Sequence, residues 1–138
     1  MLRVTLDTNV LMSGILWDGE ASKLLRLVEE KKIQCFVSIE ILAEYDRVIR
    51  SSEIMDKVCD YDIRIKSAVI KIIEICSIVE PKTKILAIKE DPDDDKILEC
   101  AIEAKVDYII TYVQHILKLK EFSGIKIVSP SEFLRLSL

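Results

Sequence analysis

The chain has 138 residues, half of them apolar and 32% charged, with a formal net charge of -4 and one histidine. That length fits one compact domain able to bury about two thirds of its unfolded surface. The sequence pI of about 5.1 argues against nucleic-acid binding by bulk positive charge, so any nucleic acid must be held locally, by a few Lys or Arg or through a bridging cation. No apolar run approaches the roughly 20 residues of a membrane span, and "MLRVTLDTNV" reaches an acid before a signal-peptide core forms, so a soluble cytoplasmic protein is expected. Three Gly and three Pro leave little material for linkers, and the expectation is a single domain over residues 1–138.

In chain order, "LRVTL" (2–6) reads as a buried strand that stops at Asp7. "TNVLMSGILWDGE" reads as a short helix closed by a turn at Asp18-Gly19. Residues 20–31 place Ala21, Leu24, Leu25 and Val28 on one helical face, and "IQCFVS" (33–38) is the next strand, completing a βαβ unit. Ser38 caps a helix reaching about Arg50, and two further helical stretches follow, over 54–59 and 61–76. A short strand near "SIVEP" precedes the acidic run "EDPDDDK" (90–96), which packs five carboxylates into six positions. Then come a helix in "DDDKILECAIEAK", a strand in "DYIIT", a short helix in "HILKLKEF", a strand in "IKIVS", and a terminal helix in "PSEFLRLS" with Pro130 in its first turn. Helices alternating with short apolar strands predict a three-layer α/β/α sandwich around a mainly parallel sheet.

Cys35, Cys59, Cys76 and Cys100 lie far apart in apolar-patterned segments, with no C-x-x-C pair, and read as core thiols. The acids are more informative. Asp94 lies three and seven positions before Ile97 and Ala101, which puts it on the apolar stripe of its helix. Asp93 and Asp95 fall about 100° to either side, as first-turn acids favoured by the helix dipole. Glu44 aligns with Ile41 and Val48 on a core-facing stripe, where a lone carboxylate is costly unless paired or bound to a cation. Asp7 ends a parallel strand, where ligands of open sheets gather.

Each acid has a bland alternative: Asp7 and Asp94 as helix caps, Glu44 beside a buried Arg or Lys. Convergence of three carboxylates from separate elements suits Mg²⁺ or Mn²⁺. An EF-hand begun at Asp91 fails, because its sixth position is Lys96 and its twelfth Ile102. An aspartyl-phosphate phosphatase is disfavoured by Asn9 where a second acid would stand.

The segments "VTLDTNVLMSG", "VSIEILAEYDRVI", "EDPDDDKILECAIEAKVDYIIT" and "HILKLKEFSGIKIVSPSEFL", in that order and spacing, resemble the PIN-domain family, and most closely its branch of toxin components from toxin–antitoxin pairs (VapC-like ribonucleases). The resemblance implies a Mg²⁺- or Mn²⁺-dependent ribonuclease with an RNA substrate, an antitoxin partner and a homodimeric assembly. It places the family's acids on Asp7, Glu44 and Asp94, with Thr8, Asn9 and Thr111 in support. At "TYVQH" (111–115) relatives usually carry Gly-Asp after the threonine, and here Tyr112 and Val113 stand instead. Three carboxylates remain where four are usual, with Asp91, Asp93, Asp95 or Gln114 as candidate substitutes, and a two-metal site is disfavoured. The alternative is a catalytically weakened PIN domain that binds RNA or a protein; a further one is a small α/β domain whose acids only cap helices and pair in the core. Lys118 and Lys120 are read as a solvated face or as guides for RNA. His115 is read as a packing or surface residue without an orienting carboxylate, and Trp17 as a packing or chain-contact residue.

Overall fold

The computed structural model describes residues 1–85 and 94–136, so Asp91 and Asp93 lie outside the described residues. Its elements are β1 (Leu2–Leu6), α1 (Thr8–Leu16), α2 (Glu20–Glu29), β2 (Ile33–Ser38), α3 (Ile39–Ile49), α4 (Ser52–Lys57) and α5 (Tyr61–Ile75). They continue with β3 (Ser77–Val79), α6 (Asp95–Ala104), β4 (Tyr108–Ile110), α7 (Gln114–Leu117), β5 (Glu121–Phe122), β6 (Ile125–Val128) and α8 (Pro130–Leu134). The sheet order is β3-β2-β1-β4-β6-β5, parallel throughout except for β5 against β6.

Consecutive residues Val4, Thr5 and Leu6, like Cys35, Phe36 and Val37, are all buried, which requires cover on both faces of the sheet, as expected of parallel strands. Thr5 reaches the Cys100 thiol and Arg3 the Ala104 carbonyl, so their face carries α6. The chain leaves β1 toward β2 on one side, and later inserts β4 on β1's other side. The switch point of the sheet therefore lies between β1 and β4, where open α/β sheets form clefts.

Several sequence expectations need correction. The segment "HILKLKEF" is not one helix: α7 ends at Leu117, Lys120 turns the chain with φ 61°, and Glu121–Phe122 pairs antiparallel with β6. Ser123 (φ 50°) and Gly124 (φ 82°) form the two-residue reversal between those strands, a turn in which both residues need positive φ. The core stripe of α3 is Ile41, Tyr45 and Ile49, with Glu44 and Val48 at its edge. Asp95 points inward at 4% exposure, because α6 is enclosed on more than its sheet face. The stretch before the acidic run lies against it, with the Lys82 and Ile85 amides donating to Glu103 and Glu99. Cys35, Cys76 and Cys100 are core thiols, whereas Cys59 is exposed beyond α4. Among the described residues, no helix is long and apolar enough to cross a membrane.

Candidate functional site

Asp7 follows the last residue of β1, and its amide bonds the Ile110 carbonyl at the end of β4. It is also the N-cap of α1: Oδ1 accepts the Thr8 amide at 2.8 Å, while Oδ2 accepts the Thr111 hydroxyl at 2.8 Å. Thr111 is fully buried, and its oxygen also accepts the Val113 amide at 3.0 Å. Burial pushes the Asp7 carboxyl above its ordinary range. The two hydrogen bonds oppose this, and the negative fields of Asp94 and Glu44 add to it.

Glu44 enters from α3, which Ser38 caps through the Ile41 amide. Its Oε1 accepts the Thr8 hydroxyl at 2.5 Å and its Oε2 the Lys96 ammonium at 2.5 Å, with Arg47 3.8 Å away. Burial alone would raise this carboxyl, but the bonds from Lys96 and Thr8 outweigh it and hold it below the usual value. Thr8 thus joins two acids, its amide on Asp7 and its hydroxyl on Glu44.

Asp94 is the N-cap residue of α6, yet its side chain does not cap that helix; Oδ2 meets the Nε2 of His115 in the first turn of α7. The structure therefore corrects the reading of His115, which has a carboxylate against its ring. Asn9 and Gln114 are exposed at the starts of α1 and α7, as are Lys118 and Lys120. Trp17 is 38% exposed.

At the C-terminal edge of the sheet, Asp7 lies within the negative fields of both Glu44 and Asp94. Their hard oxygen donors fit a divalent cation by chemistry, and the like charges around Asp7 would be relieved by one. Two of the three also meet a basic side chain, Glu44 that of Lys96 and Asp94 that of His115. Among the described residues no three His, Cys, Asp or Glu side chains stand ready to hold a metal ion.

Sequence reasoning missed Lys96 and His115 as members of this site. Lys96 lies 52 residues from Glu44 and His115 21 residues from Asp94, so neither pairing leaves a periodic trace. The only local signal is the position of Lys96 two residues after Asp94.

No curated protein matches the chain. Among solved structures, PAE2754 from Pyrobaculum aerophilum superposes with a TM-score of 0.65 at 11% identity, over 96% of this chain and 87% of that one. VapBC2 from Rickettsia felis, bound to a DNA fragment from their promoter, gives 0.62 at 15% identity, over 93% of this chain and 98% of that one. At such identities the likeness is one of fold. The sequence itself matches the PIN domain over residues 3–115, a span that holds Asp7, Glu44, Asp94 and His115, and the chain belongs to the PIN-domain family.

Proposed function

We propose that the chain is a metal-dependent endoribonuclease, the toxin component of a toxin–antitoxin pair. The observation that carries this reading is the convergence of Asp7, Glu44 and Asp94, from three elements, at the sheet's switch point, where Asp7 experiences the other two as like charges. Membership of a family whose domains are generally nucleases supports it, as does the fold shared with a toxin–antitoxin complex.

Asp7, Glu44 and Asp94 would hold Mg²⁺ or Mn²⁺, which when bound polarises a phosphodiester and makes water a stronger nucleophile. Thr8 fixes the spacing of Asp7 and Glu44, and Thr111 orients Asp7. A carboxylate of the cluster, Asp94 or Glu44, would take the proton of the attacking water. The substrate is RNA in the cytoplasm, the regulator is an antitoxin protein, and the assembly is a homodimer.

A second reading, an RNA- or protein-binding module with a weakened centre, is favoured by Val113 at the usual place of the fourth acid and by the Lys96 and His115 contacts. The deciding experiment is cleavage of a labelled single-stranded RNA with Mn²⁺, Mg²⁺ or EDTA, beside Asp7→Asn and Asp94→Asn. Metal-dependent cleavage lost in both variants supports the nuclease. Retained RNA binding without turnover supports the module. Absence of any metal-dependent shift in melting temperature leaves the acids as caps and ion pairs only.

A further inference from the structure

Among the described residues, the Lys96–Glu44 contact differs from the other Lys and Arg pairs in its burial. The helix-surface pairs Arg50–Asp46 and Lys57–Glu53 have side chains about half exposed or more, and such pairs contribute little. Lys96 and Glu44 are 19% and 23% exposed, so water screens their attraction far less. The contact also falls on a particular atom. Thr8 occupies Glu44 Oε1 and anchors the side chain toward Asp7, which leaves Oε2 as the oxygen available to a cation, and the ammonium sits on it. Arg47, 72% exposed and 3.8 Å away, touches the same oxygen only loosely.

We propose that Lys96 is the resident counter-ion of the acid centre, in competition with a divalent cation for Glu44 Oε2. This rests on the metal-dependent reading above and adds to it the regulation of that site. The ammonium supplies positive charge where three carboxylates crowd, so the fold tolerates them without metal. Two positive centres on one carboxylate oxygen repel, so cation entry requires Lys96 to leave. Lys96 thereby sets the cation concentration at which the centre fills.

The test is Mn²⁺ binding by the full chain, followed by titration calorimetry and by the electron spin resonance of free Mn²⁺. Lys96→Gln is expected to bind Mn²⁺ about tenfold more tightly than wild type, the scale of one partly shielded charge pair. Lys96→Arg keeps the charge and should bind as wild type does. Arg47→Gln, which removes an equal charge from the loose contact, should change binding by less than about twofold. Equal tightening in Lys96→Gln and Arg47→Gln would reduce the effect to the general field and overturn the proposal, as would unchanged or weaker binding by Lys96→Gln. A second readout needs no variant: acetylation of Lys96 in the wild-type protein, followed by mass spectrometry, should be several-fold faster in Mn²⁺ than in EDTA, and equal rates would count against displacement. If wild type and Lys96→Gln both fail to bind Mn²⁺, the nuclease reading falls and this proposal with it. Binding by wild type with no response at Lys96 removes this proposal alone.

Discussion

The Thr111 hydroxyl donates to Asp7 Oδ2 at 2.8 Å, tying the end of β4 to the end of β1 across 104 residues of sequence. The same oxygen accepts the Val113 amide, so one buried side chain fixes both the first acid and the turn into α7. Thr111→Val preserves shape and removes the bond to a buried carboxylate. It should cost about 2 kcal/mol in urea unfolding at neutral pH without metal, while Thr111→Ser, which keeps the hydroxyl, should cost much less.

Asp7 and Glu44 give opposite pH signatures. The folded pKa of Asp7 is raised above 3.8, so its contribution to stability is fully present below that pH and is lost as pH rises through the folded pKa. Glu44 is lowered from 4.5, so its contribution is present above that pH and is lost as pH falls through its folded pKa. In EDTA at neutral pH, Asp7→Asn should therefore be more stable than wild type while binding no Mn²⁺. Denaturation midpoints taken from pH 3 to 8 would show the two curves converging at the acid end; a less stable Asp7→Asn at pH 7 would contradict the burial argument.

Val113 is the N-cap of α7 and provides no side-chain cap. Val113→Asp would add a cap of about 1 kcal/mol, offset by the apolar contact Val113 makes with the core, so the melting temperature should move little. If three carboxylates limit the centre, the added acid should tighten Mn²⁺ binding about tenfold in calorimetry, as one more nearby charge would. Unchanged affinity would mean that this position does not face the site.

Gly14 is where α1 crosses α2. A Cβ there would lie 2.6 Å from Leu25 Cδ1 and 2.7 Å from the Ala21 carbonyl oxygen, and the latter is backbone and cannot swing aside. Gly14→Ala should destabilise the fold by about 1–3 kcal/mol through displacement of α2, despite the better helix propensity of alanine. Urea unfolding checks the sign.

The sequence by itself determined what depends on the order of residues along one element. The apolar runs of β1, β2 and β4 required a parallel sheet covered on both faces. The stop at Asp7 put an acid on its C-terminal edge, Ser38 marked a helix start that it does cap, and Pro130 marked the first turn of the terminal helix. Tertiary structure decided what depends on how elements meet. Helical phase gives a residue's angle about its own axis, whereas burial depends on what packs there. Asp95 is thus inside although phase turned it outward, and Glu44 sits at the rim although phase put it on the core stripe. The pairings of Glu44 with Lys96 and of Asp94 with His115 arise only when α3 and α7 are laid beside α6. The electrostatic state of the acids is therefore a property of the packed helices and of no single segment.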